Sequence, residues 1–275
     1  MKALLAVTLA SLLLAAPAAA AEPRDPAGSA ACRRGAPACV DRVIAEMKRR
    51  WRPLDRACDH RAPFALLYLR TTQAFERSLR TLDYDDPAAV IREDAEFARL
   101  YFRAFDAAAA GDARRVPGAW GVAYDAAAAR TQTSVGDALL GVSAHINRDL
   151  PTVLYALHRA GHPVSRADHD RVDEVLRLVD AEGEIAGRYD PPLPGAPPPD
   201  REMAVETVVS WRATAFATYL RLRRAPSRAA RAAVRAELEA GTLGLAELIR
   251  EATRGGYQPG GSSCATARQV PSPGS

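Results

Sequence analysis

A histidine and an aspartate four residues apart stand near the middle of the 275-residue chain. His145 and Asp149 lie in an apolar segment, and on an α-helix this spacing projects both side chains from one face. Gly141, one turn earlier, leaves space beside them. A histidine and a carboxylate held against a core need hydrogen bonds, an ion pair or a metal ion, because an unpaired buried charge is costly. This pair is the first candidate for chemistry.

Three further charged residues fall on apolar helical stripes elsewhere in the chain. Asp94 and Asp168 each occupy a position that the spacing assigns to a core face, and Arg212 does so on a helix predicted over 202–223. If these side chains meet His145 and Asp149, the five residues form one polar site.

Two functional interpretations follow from that constellation. His145, Asp149, Asp94 and Asp168 could hold one divalent metal ion, as inward-facing ligands do in helical bundles. Without a metal, His145 could act as a general base oriented by Asp149 or Asp168, with Arg212 or Arg148 holding an anionic group. Both favour a hydrolase that acts on a small anionic or ester substrate.

The competing interpretation is structural, for a non-catalytic binding or envelope-associated protein. Asp149 would cap a helix restarted by Pro151, Asp168 would complete a capping box, and Arg212 would pair with Asp94 or with the His145 network. The H-x-x-x-D spacing alone does not choose among the three. His60 and His169 are expected at exposed loop or cap positions.

The elements that must position these residues are all helical. Apolar periodicity predicts helices over about 40–51, closed by Pro53, then 62–79, 87–110, 134–160 and 202–223, among others. Pro151 should kink the central helix, and glycines should interrupt the last one at 241–244. The prediction is an all-α, single bundle-like domain of seven to nine helices over 39–254.

The ends of the chain suggest export to the periplasm or the extracellular space. Residues 1–21 have the charged start, apolar run and small-residue end of a signal peptide. We expect an extended lead-in over 22–38, a stiff proline-rich connection within 190–200, a flexible tail over 255–275, and no transmembrane segment after signal cleavage. The formal net charge of +4 is too mild to indicate a nucleic-acid partner.

Four cysteines in an exported chain favour two disulfides over a metal site. Three pairings are possible. The preferred one joins Cys39 to Cys58 and Cys32 to Cys264.

Four motifs carry a family resemblance: D-x-x-F-A-x-x-Y-F at 94–102, W-x-x-A-Y-D-A at 120–126, L-L-G-x-x-A-H-I-N-x-D-L at 139–150 and D-x-x-x-V at 168–172. With them, residues 60–179 resemble a helical family known as a domain of unknown function, serial 5995. The resemblance implies a shared helical setting for this block and no particular activity. The chain departs from the pattern at Ser143, Leu100 and Asp173, where the family tends to have Asn, Arg and Asn. The change at 100 removes a cation near Asp94 and makes Arg212 its expected partner.

Overall fold

The computed structural model describes residues 25–190, 200–254 and 264, which fold as helices. In chain order these are α1 (Ala30–Arg34), α2 (Ala38–Ala57), α3 (Ala62–Ser78), α4 (Pro87–Ala109), α5 (Gly118–Ala129), α6 (Ser134–Ser143), α7 (Leu150–Arg159), α8 (Arg166–Arg177), α9 (Glu182–Tyr189), α10 (Arg201–Arg224) and α11 (Arg228–Ala252). A π-helical turn, Ala144–Asp149, joins α6 to α7 without a break.

The all-α prediction is confirmed. Within the described ranges the only β pairing is an isolated bridge between Gln132 and Arg254. With α6, the π turn and α7 taken as one central helix, and the single-turn α1 set aside, the described residues form nine helices. In the same part of the chain, no helix is long and apolar enough to cross a membrane.

The central helix 134–159 lies inside the bundle. Its first part packs on α3, α5 and α11, and its second part packs on α4 and α10. Helix α3 also contacts α2, α8 and α9, so that α3 and the central helix form the middle of the core. His145 lies on the π turn, which contacts α4, α5, α10 and α11.

Pro151 acts on the central helix in a different way from the predicted kink. A proline ring crowds the carbonyl of the fourth preceding residue, here Asn147. The helix widens ahead of the proline instead of breaking, and the amide of Leu150 donates to the carbonyl of His145, five residues back. Pro151 then takes a place in the first turn of α7, where its missing N–H costs little.

Other predicted boundaries are also corrected. Helix α2 continues past Pro53, because Leu54 on the following turn is buried in the core. Helix α11 runs through 241–244 without interruption, since Thr242 and Ala246 pack inward and each helical glycine costs only about 1 kcal/mol. Part of the expected lead-in, Ala30–Arg34, forms α1.

Both disulfides exist, but the preferred pairing is wrong. Cys32 bonds Cys39, with an S–S distance of 2.00 Å, and Cys58 bonds Cys264. Cys39 and Cys58 lie at opposite ends of α2, a helix of 20 residues that is about 30 Å long, whereas bridged Cα atoms lie within about 7 Å. The proposed signal peptide, the proline-rich connection over 191–199 and the tail other than Cys264 lie outside the described residues.

Candidate functional site

His145 and Asp149 form a buried hydrogen-bonded pair. The Nδ1 atom of His145 lies 3.0 Å from Oδ2 of Asp149, and the two residues are 2% and 0% exposed. Asp149 also accepts from Nε1 of Trp120 at 2.9 Å and from the guanidinium of Arg148 at 2.7 Å. A carboxylate surrounded by donors only accepts, so Nδ1 of His145 carries the proton of the shared hydrogen bond.

The other ring nitrogen of His145, Nε2, is left unpaired. It is buried and has no hydrogen-bond partner among the described residues. The imidazole stacks on Phe97 with ring centroids 3.4 Å apart and an angle of 4° between planes. Burial lowers the pKa of His145 below its ordinary value, and the hydrogen bond to Asp149 only partly opposes that effect. The ring is therefore neutral at pH 7, with the lone pair of Nε2 free to accept a proton.

His145 lines a cavity of about 190 Å³. Helices α3, α4, α6, α8, α9 and α10 and the π turn form its walls, and most of the lining side chains are apolar. Asp149, which bonds Nδ1 of His145, does not line the cavity. A concave apolar space with a few polar groups is typical of a small-molecule site.

Six polar atoms on residues that line the cavity share an unusual property. Each is buried and has no hydrogen-bond partner in the described structure: Tyr68 Oη, Thr72 Oγ1, Glu93 Oε2, Asp94 Oδ2, Glu182 Oε2 and His145 Nε2. Folded proteins pair nearly all of their buried polar groups, and unpaired groups cost about 1 to 3 kcal/mol each. Their concentration around one cavity favours a space that is completed by a bound molecule.

Burial also changes the ionisation of the two acids on α4. It raises the pKa of Asp94 to about 8, with repulsion from Glu93 adding to the effect. It raises the pKa of Glu93 to about 7, although the charge of Arg212 acts in the opposite direction. Asp94 is consequently mostly protonated at neutral pH.

Asp168 lies apart from this cluster. Its two carboxylate oxygens accept from the backbone amides of Asp85 and Asp86, at 2.7 and 3.0 Å, ahead of α4. Only half of the predicted capping box forms: Ser165 Oγ accepts from the amide of Asp168 at 2.9 Å, while the carboxylate of Asp168 turns to the other chain segment.

Arg212 lines the cavity but does not pair as expected with Asp94 or His145. Its Nε donates to Asp173 at 2.7 Å, and a terminal nitrogen donates to the carbonyl of His169 at 2.6 Å. Arg212 thus joins α10 to α8. The partner, Asp173, is one of the positions at which this chain departs from the expected family pattern.

The four-residue metal centre is not assembled. Within the described ranges, no group of three or more His, Cys, Asp or Glu residues could hold a metal ion. The physical reason is that the carboxylates of Asp149 and Asp168 already accept hydrogen bonds from other groups. Asp149 accepts from Trp120 and Arg148, whereas Asp168 accepts from the backbone ahead of α4 rather than from His145. The residues that come together at the cavity are His145, Asp94 and Arg212, with Asp149 behind His145.

Three members of the site, Tyr68, Glu93 and Trp120, were not predicted from the sequence. Tyr68 and Glu93 line the cavity, and Trp120 bonds Asp149 behind His145. Helical spacing gave no signal for Glu93, since residues 93 and 94 point in directions about 100° apart. His60 and His169 are also buried rather than exposed: His60 pairs with Asp137 at 2.6 Å, and His169 bonds the carbonyl of Arg212 at 3.1 Å.

Comparison with family models found one match, to a family of unknown function, DUF5995, over residues 40–252. Comparisons with curated proteins and with solved structures found no match. The matched range includes every residue of the cavity wall and extends beyond the expected 60–179. The chain belongs to the family of unknown function DUF5995.

Proposed function

We propose that the protein is a hydrolase in which His145 acts as general base on a small, largely apolar ester bound in the cavity. The observation that carries this proposal is the unpaired Nε2 of a neutral, buried histidine that lines the cavity. Asp149 fixes the tautomer by accepting from Nδ1, which is the arrangement a histidine base needs.

The reaction requires one water molecule and no side-chain nucleophile. Nε2 takes a proton from water while the water oxygen attacks the ester carbonyl carbon, and Asp149 stabilises the imidazolium that forms. The imidazolium then gives its proton to the departing alkoxide, so the products are an acid and an alcohol. General-base catalysis of this kind contributes about 10²- to 10⁴-fold in rate.

Tyr68 can stabilise the oxyanion of the intermediate. Its ring lies beside that of His145, with centroids 4.8 Å apart, and its hydroxyl has no partner in the described structure. Burial raises the pKa of Tyr68 well above its ordinary value, so the hydroxyl keeps its proton and can donate it in a hydrogen bond.

A neutral ester fits this cavity better than an anionic substrate. Glu93 and Asp94 line the wall, and the guanidinium of Arg212 is already paired with Asp173. An incoming anion would meet acidic groups without a free cation to receive it.

Binding without catalysis is the second candidate, and the hydrogen bonds behind His145 favour it. Arg148 bonds both Asp149 and Glu239, at 2.7 and 3.0 Å, and Trp120 bonds Asp149 as well. These contacts join α5, the π turn and α11. A purely structural role for the His145–Asp149 pair would require contacts of this kind.

Hydrolysis of p-nitrophenyl acetate and butyrate discriminates the two candidates. We expect His145→Gln to lower kcat at least 100-fold and Tyr68→Phe to lower kcat more than it changes KM. His162→Gln, at an exposed position after α7, is the matched control and should retain full activity. Circular dichroism verifies that each variant is folded.

Full activity in His145→Gln would refute the hydrolase proposal. A wild-type protein that binds these esters without turnover would establish the second candidate.

A further inference from the structure

Glu93 and Asp94 lack the strong partners that several other buried carboxylates of the described chain have. Glu46 pairs with Arg50, and Asp149 accepts from three donors. Oε2 of Glu93 and Oδ2 of Asp94 have none within the described residues, although Glu93 is only 6% exposed. Two neighbouring acids of α4 are thus held in an apolar cavity without compensation.

The unpaired atoms around the cavity are mostly acceptors. Three are carboxyl oxygens, from Glu93, Asp94 and Glu182, and a fourth is the imidazole nitrogen of His145. The nearest fixed cation, Arg212, directs its hydrogen bonds to Asp173 and to the carbonyl of His169 on α8. A group that brings hydrogen-bond donors would complete this wall, and a positive charge on it would favour the ionised forms of Glu93 and Asp94.

We infer that the cavity takes an apolar molecule that carries an amino group, with its ammonium bound by Glu93 and Asp94 and its apolar body extending toward His145. The assignment of this molecule as a substrate rests on the proposed hydrolase function. The binding preference itself rests only on the cavity and its unpaired acids.

Size and charge both restrict the ligand. A cavity of about 150 Å³ can hold benzene, so the 190 Å³ space accepts a body of about six carbons. An ammonium supplies the donors that the carboxyl oxygens lack and neutralises their charge in a low-dielectric site. A matched alcohol gains only part of this interaction, and a matched carboxylate is repelled.

Calorimetry of the intact, disulfide-bonded protein with hexylamine, 1-hexanol and hexanoate tests the inference. We expect hexylamine to bind at least tenfold more tightly than hexanol and hexanoate to show no binding. Asp94→Asn and Glu93→Gln should each weaken hexylamine at least tenfold and leave hexanol unchanged. Glu96→Gln is the control, since Glu96 lies on the same helix and pairs with Arg99 outside the cavity.

The two assays separate this inference from the hydrolase proposal. Calorimetry measures binding without turnover, so the wild-type protein should prefer hexylamine to hexanol even if it hydrolyses no ester. Equal affinities for the three ligands, no binding of hexylamine, or an equal loss in Glu96→Gln would overturn the inference, whatever the outcome of the ester assay.

Discussion

Gly141→Ala tests how tightly the core is built around the candidate site. The space that Gly141 leaves on the central helix is filled by the ring of Phe64. A Cβ atom at position 141 would lie 2.4 Å from Cγ and 2.5 Å from Cδ2 of Phe64, far inside contact distance. Phe64 cannot move away easily, because its ring packs on Tyr101 and Trp120 at centroid distances of 5.1 and 5.3 Å.

Two opposing effects determine how much Gly141→Ala changes the stability of the protein. Replacing glycine by alanine in a helix interior contributes about 1 kcal/mol of stability. Overpacking a core costs about 1 to 3 kcal/mol, and contacts this short favour the upper end. The net loss at Gly141 is therefore about 2 kcal/mol, which in a domain of this size lowers Tm by about 4 to 8 °C.

Gly244→Ala is the matched control. Gly244 lies inside α11, and a Cβ atom there would meet nothing within 4 Å. The same substitution should raise Tm by about 2 to 4 °C, because only the helix-propensity gain remains. Thermal unfolding followed by circular dichroism measures both variants. A Gly141→Ala protein as stable as Gly244→Ala would refute the packing around Phe64.

Two further predictions concern charge and covalent links. Between pH 6.5 and 8 the free energy of unfolding should fall as pH rises. In the folded protein the pKa values of Asp94 and Glu93 are raised to about 8 and about 7, so both acids hold protons that are released across this range. In the unfolded chain both acids are already ionised above about pH 4.5. Urea unfolding across this range should give a flatter profile for Asp94→Asn, and an unchanged slope would contradict the buried, unpaired state of the acid. Replacing both cysteines of the Cys58–Cys264 bridge by serine should lower stability by up to about 5 kcal/mol, because this bridge closes a loop with a sequence separation of 206. The same replacement in the Cys32–Cys39 bridge, with a separation of 7, should cost about 2 kcal/mol. Equal Tm losses for the two bridge variants would rule out the loop-entropy explanation.

Local patterns in the sequence predict the helices well. The helices expected over 62–79, 87–110 and 202–223 are Ala62–Ser78, Pro87–Ala109 and Arg201–Arg224 in the structure. The pairing of His145 with Asp149 was also predictable, since residues four apart on a helix face the same side. In each case the sequence pattern that supports the prediction lies within one or two helical turns.

Contacts between helices were less predictable. From the sequence, Arg212 could pair with any of several acids. It pairs with Asp173 because of the way α8 packs on α10. The burial of Glu93 depends on which helices cover α4 on that side. The disulfide pairing likewise follows from distances in the folded chain, which cysteine spacing does not contain.

The protonation state of His145 is the most direct test of the proposed site. Nitrogen NMR of histidine-labelled protein, with His145→Gln used for assignment, resolves which ring nitrogen carries the proton. We predict a neutral ring at pH 7 with the proton on Nδ1 and a bare Nε2 whose resonance shifts when an ester is added. A proton on Nε2, or a charged ring at pH 7, would contradict the role of His145 as a general base.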